Sequence, residues 1–194
     1  MKTHIRIPTL LCLLLVAALG VMASPKNGNW TEVKADNLGF VASFPVAPAV
    51  DELSIELSQS KRVPMQIYMA GTPDESYIVA TIGEFPFDLN EMGKDFLKPE
   101  FFEHFWADTF ALNGSDARSK LRLKMLPRES DGEQECAFTF GEVAGHMRVI
   151  VSKRRVFVAC AFTGEAKKRE GDLAMKQFFG AFRLSGTEQS ARLD

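Results

Sequence analysis

The stretch EQECAFTFGEVAGHMRVIVSKRRVFVACAF, residues 133–162, alternates side-chain character through three successive runs. With its flanks it extends from Lys120 to Leu184. The whole reads as a four-stranded antiparallel meander, then a helix, then the closing segment Phe178-Phe179-Gly180-Ala181-Phe182-Arg183-Leu184. The four runs are Lys120–Arg128, Glu133–Gly141, His146–Ser152 and Arg155–Phe162. Asp131-Gly132 is a strong two-residue hairpin signal. Glu142-Val143-Ala144-Gly145 and Lys153-Arg154 supply the other short links.

The shortest consistent register sets Met125 opposite Phe138 and Leu123 opposite Phe140. It then sets Phe138 opposite Val149, Phe140 opposite Met147, Met147 opposite Cys160 and Val151 opposite Val156. Successive side chains on a strand point to opposite faces. One face therefore collects Leu121, Leu123, Met125, Cys136, Phe138, Phe140, Met147, Val149, Val151, Val156, Val158, Cys160 and Phe162. A slip by one residue would turn a strand's apolar set to the wrong side. The other face carries Lys120, Arg122, Lys124, Arg128, Arg148 and Arg155, with Glu133 and Glu135 among them and Arg128 opposite Glu135. Phe157, Ile150, Ala159 and Ala161 make its far half apolar enough to be partly covered.

The chain opens Met1-Lys2-Thr3-His4-Ile5-Arg6 and then runs apolar from Leu10 to Met22. A charged start, a short apolar run and a small-residue site at Ala23 describe a secretory signal peptide over residues 1–23. The run is short for a membrane span, and no later segment is long and apolar enough for one. Export places the protein in the periplasm or the medium. Removal of 23 residues leaves 171 of the 194, enough for one globular domain over residues 24–185 followed by a flexible polar tail, 186–194. Without Lys2 and Arg6, 21 of the 23 basic residues face 25 acidic ones, a net charge of −4. Bulk attraction to nucleic acid is not expected from that balance.

Cys136 and Cys160 remain after cleavage, and an exported pair suggests a disulfide. The register argues against it. An intervening strand and about four rows separate them, on the order of 15 Å. Two buried free thiols are expected.

Upstream, Trp30 to Val33 suggests a short strand, and Leu38–Phe44 alternates up to Pro45. Pro45–Glu52 reads as loop. Leu53–Leu57, Val63–Ala70 and Tyr77–Gly83 read as strands, with a turn at Thr72-Pro73-Asp74-Glu75. Pro99 opens a helix whose apolar face is Phe101, Phe102, Phe105, Trp106 and Phe110, and Asn113-Gly114 ends it. A second helix is expected to end at Phe179, with Gly180 at its C-terminus and a last short strand within Ala181–Leu184.

Three features together resemble the PsbP-like fold. They are Gly39-Phe40-Val41-Ala42-Ser43-Phe44-Pro45, the aromatic helix from Phe101 to Phe110, and the terminal hairpin, helix and Phe178–Leu184 closure. The resemblance implies an α+β fold, an antiparallel sheet flanked by helices on both faces. It also implies an accessory or binding module, not an enzyme. It supplies no site residues.

Catalytic signatures are not found. No phosphate loop or Gly-x-Ser-x-Gly elbow occurs. Ser115 has no histidine base placed near it. Asp74/Glu75 and Glu133/Glu135 read as solvated turn and strand charges. His104 and His146 do not converge with other ligands, so neither a metal nor a cofactor is expected. The candidate site is the basic face of Lys120, Arg122, Lys124, Arg148 and Arg155, suited to an anionic protein or envelope partner. Charge reversal at Arg122 and Arg148 is expected to abolish partner recovery at a nearly unchanged melting temperature. The alternative is a carrier of a small hydrophobic ligand, its apolar pocket lying under Phe101, Phe105 and Trp106.

Overall fold

A computed structural model describes residues 30–58, 61–72, 74–89, 97–100, 102, 121–127, 132–164 and 168–185. The expected signal segment and tail lie outside them. Among these residues the elements, in order, are β1 (Thr31–Ala35), β2 (Phe40–Phe44), β3 (Ala49–Ser58), β4 (Lys61–Gly71), β5 (Glu75–Gly83), β6 (Leu121–Met125), β7 (Glu133–Phe140), β8 (Val143–Ser152), β9 (Arg155–Gly164), α1 (Lys168–Ala181) and β10 (Arg183–Leu184). They make two antiparallel sheets. One has seven strands, ordered β3-β4-β5-β9-β8-β7-β6, and the other three, ordered β1-β2-β10.

This corrects the expected fold class. The described chain is mostly β, not α+β with helices on both faces of a sheet. β3 begins at Ala49, inside the expected loop, because residues 49–52 pair with Met69, Tyr68, Ile67 and Gln66 of β4. One face of the large sheet is covered by a second sheet together with α1. Of the expected aromatic helix, Phe102 is fully buried with Phe85, Leu89 and Leu97 against the other face. Phe101, Phe105, Trp106 and Phe110 lie outside the described residues. No described helix is long and apolar enough to cross a membrane, which leaves open what strands could do.

The meander keeps its faces but shifts its register. Met125 pairs with Cys136 and Leu123 with Phe138, two residues from the expected partners. Phe138 pairs with Gly145, four residues from Val149, because the chain turns at Gly141 (φ 58°) and Glu142. Met147 with Cys160 and Val151 with Val156 pair as expected. Both shifts are even, so parity survives. Every residue of the expected apolar face except Phe140 lies in the corresponding core cluster.

The opposite face packs under β1, β2, α1 and β10. Met175, Phe178 and Phe182 recur at helical spacing and are buried, whereas Leu173 and Lys176 face solvent. Phe178 meets Phe44 at 5.8 Å and Tyr77 at 5.2 Å between ring centroids. Burying each such ring contributes about 2–3 kcal/mol. The Tyr77 hydroxyl donates to Glu75 at 2.6 Å. Burial, then that bond to the Glu75 carboxylate, pushes the phenol well above its usual range.

Cys136, Met147 and Cys160 lie in a single cross-strand row, not four rows apart. Met147 stands between the cysteines, which puts their backbones two strand spacings, about 10 Å, apart. That exceeds disulfide reach, and both thiols are free and buried. Burial, then Cys136, pushes the Cys160 thiol well up, so it stays protonated and weakly nucleophilic. In the native protein at pH 8 a disulfide reagent should label neither cysteine within minutes, and both should react at once in denaturant. Fast native labelling of Cys160 would contradict this packing.

Candidate binding surfaces

The structure divides the expected basic face. Arg122, Lys124, Arg148 and Arg155 share one side of the large sheet by parity, and Lys120 lies outside the described residues. Arg122 and Lys124 are exposed, two residues apart on β6 at the end of the strand order. Their spacing along the strand is about 7 Å. Arg122 stands opposite Thr139, and Lys124 opposite Ala137.

Arg148 does different work. Its Nε lies 3.2 Å from Glu133 Oε1, and its guanidinium also holds Glu135. The same group sits 5.9 Å from the centre of the Phe179 ring on α1. The three charged side chains are 17%, 11% and 22% exposed for Arg148, Glu133 and Glu135. Arg148 thus joins β7, β8 and the helix, and adds little positive charge to the surface. The acidic pair that reads as solvated in the sequence is its counter-charge. Arg128, expected opposite Glu135, lies outside the described residues, and the Leu126 amide donates to the Glu135 carbonyl at 2.9 Å.

Arg155 stands at the far end of β9. Thr163, which lies in Arg122's cross-strand row, is eight residues away on the same strand, about 27 Å. The neighbouring Arg154 donates from Nε to the Phe85 carbonyl. The face is therefore a basic pair at one sheet edge, an internal ion-pair centre, and a third cation in another setting.

His146 packs on the helix side, its ring 6.3 Å from Phe179. His104 and Ser115 lie outside the described residues. Asp74 and Glu75 are structural: the Asp74 carbonyl accepts from the Thr163 hydroxyl, and Glu75 accepts from Tyr77. Among the described residues no group of three His, Cys, Asp or Glu side chains could hold a metal ion.

An open cleft of about 330 Å³ occupies the Arg155 end, where the β1–β2 turn overhangs the large sheet. Asn37 comes from that turn, Glu52 from β3, Gln66 from β4, Thr81 from β5 and Arg155 from β9, with Glu84 just beyond β5. Leu38 and Pro64 give it apolar surface, while the side chains of Leu53 and Met65 turn to the other face of the sheet. Gln66 Nε2 donates to Glu52 Oε1 at 2.8 Å. Burial, then the Glu52 carboxylate, pushes the nearby Tyr68 phenol up. Thr81 is 3% exposed, and its buried hydroxyl has no hydrogen-bond partner among the described residues.

Glu84 has φ 62° and Lys153 φ 38°, left-handed values that L side chains seldom adopt. Both lie at this end. The backbone at Glu84 turns the chain across the Lys153-Arg154 hairpin, where the Phe85 amide donates to the Arg154 carbonyl at 3.1 Å. Sequence reasoning missed the cleft entirely. Its lining comes from five separate segments, and none of them carries a recognisable motif.

No family model matches the chain, and no curated protein matches it. Among solved structures it is similar to the solution structure of cyanobacterial PsbP (CyanoP) from Synechocystis sp. PCC 6803. The two are 12% identical with a TM-score of 0.46, and the match covers 86% of this chain and 98% of that one. A likeness at this level carries no role over to this chain. The match falls on the PsbP-like proteins to which the sequence resemblance pointed.

Proposed function

We propose that the protein is an exported, non-catalytic accessory module that binds an acidic segment of a partner protein in the cell envelope through the β6 edge. The observation that carries this reading is the exposed Arg122–Lys124 pair. Two cations about 7 Å apart lie within one Debye length at physiological salt, so an approaching anion meets them as a single doubly charged source. Arg148, by contrast, is already neutralised inside the fold. A charged patch on an otherwise acidic protein steers encounter and sets orientation more than it adds affinity. The export part of the reading rests on the charged start and apolar run of residues 1–23.

The test is affinity purification from the protein's own envelope fraction, using wild type and Arg122→Glu/Lys124→Glu. A partner recovered with wild type should be lost with the variant and weakened by added salt. The variant's melting temperature should stay within about 2 °C of wild type, as for surface substitutions generally. Undiminished recovery by the variant would remove this edge from the binding surface.

A further inference from the structure

Two independent energetic costs meet at the cleft between the β1–β2 turn and the large sheet. Thr81 keeps a buried hydroxyl without a partner among the described residues. Such a group has lost its hydration without compensation. Glu84, three residues on, holds a left-handed backbone although it is not glycine. Strain of this kind persists where the surroundings impose it, and it gathers at ligand sites and switches. Both residues line one cavity of about 330 Å³, at the small end of the range for small-molecule pockets.

The lining chemistry selects among ligands. Glu52 and Glu84 contribute two carboxylates and Arg155 one guanidinium, so the cleft is net negative. Glu52 and Glu84 are both exposed, so an entering cation reaches them first. Leu38 and Pro64, which shares the parity of Gln66, offer an apolar wall for a short hydrocarbon body. The Thr81 hydroxyl can accept from an ammonium N–H or donate to a carboxylate, so it is the net negative lining that selects the cation.

We infer that this cleft binds a small primary ammonium on a short apolar body, its charge set against Glu52 and Glu84 and one N–H donated to the Thr81 hydroxyl. The site is separate from the β6 edge, and its failure would leave that reading untouched.

The experiment is ¹H–¹⁵N NMR titration of the purified protein with n-butylammonium. Butyrate and tetramethylammonium serve as counter-probes. The first reverses the charge, and the second keeps it without an N–H. Nα-acetyl-lysine amide separates a lysine side chain from a free amine as the natural source. Saturable shifts are expected at the Thr81, Gly83 and Glu84 amides, with Kd of about 1–10 mM. Glu52→Gln/Glu84→Gln and, separately, the near-isosteric Thr81→Val should each weaken binding about tenfold. Arg122→Glu/Lys124→Glu should bind like wild type. No saturable shift with n-butylammonium, equal shifts with butyrate or tetramethylammonium, or unweakened binding in both cleft variants would each overturn the assignment.

Discussion

Gly145→Ala should destabilise the protein by about 3–4 kcal/mol, the far end of what overpacking costs. Gly145 lies inside β8 opposite Phe138. A Cβ built there falls 2.5 Å from the Ala161 carbonyl oxygen and 2.6 Å from the tip of the Phe138 ring. The ring lies over the glycine and covers the gap its missing side chain leaves in the sheet. A flexible ring could swing aside, but the carbonyl belongs to the backbone of β9 in the sheet interior. Both sheet pairings of β8 would have to open to make room. For a chain of this length such a loss lowers the melting temperature by about 10 °C. The check is urea unfolding of Gly145→Ala, Phe138→Leu and the double variant. The double should be less destabilised than the sum, since the ring clash is gone, yet still below Phe138→Leu because the carbonyl clash remains. A Gly145→Ala variant within about 0.5 kcal/mol of wild type would refute this packing.

Arg148→Ala should cost about 3–4 kcal/mol, because it removes the guanidinium charge set against two largely buried carboxylates. Glu133 and Glu135 lie on the same face of β7, and Arg148 stands beside both. The substitution also removes the guanidinium from the Phe179 ring and so loosens α1 from the sheet. Arg148→Lys should fall between the two, since an ammonium keeps the charge without the planar fork. The triple variant Arg148→Met/Glu133→Gln/Glu135→Gln should recover most of the loss, as apolar and neutral replacements of buried ion pairs often do. Thermal and urea unfolding of the four proteins decide it. Equal stability of Arg148→Ala and wild type would show that the pairs are solvated. This reverses what the sequence suggests, where reversal at Arg148 looks harmless to stability.

Parity was readable from the sequence and register was not, and the two have different physical origins. Which face a residue occupies follows from alternation along its own strand, a local property. Which residue it meets depends on where the turn closes. Gly145 looks like a turn residue, so the second hairpin reads as closing there. In the structure it is a strand glycine under Phe138, and Gly141 with its positive φ makes the turn. Likewise Pro45 and Pro48 suggest loop through Glu52, yet β3 starts at Ala49, immediately after the second proline. The small sheet was only half legible, because its two-residue third strand is too short to show a period. Arg122, Lys124, Arg148 and Arg155 share one face, as alternation predicts, but Arg148's partners belong to a neighbouring strand and emerge only with the register. The cleft depends on five segments at once and has no sequence signal.

The pairing of β10 with β2 has a consequence for how the chain matures. Arg183 and Leu184 lie against Val41 and Phe40, and the Ser185 amide donates to the Gly39 carbonyl at 2.8 Å. A strand from the beginning of the domain thus waits for one at its end, more than 140 residues later. Contacts of such separation form late, because their loop must close before they contribute anything. Until the last turn of α1 has left the ribosome, Phe40 and Phe44 lack part of their cover. Completion of the small sheet is therefore a check on chain completeness, and a copy shortened before Phe182 would present that aromatic face to whatever protease or chaperone surveys its compartment.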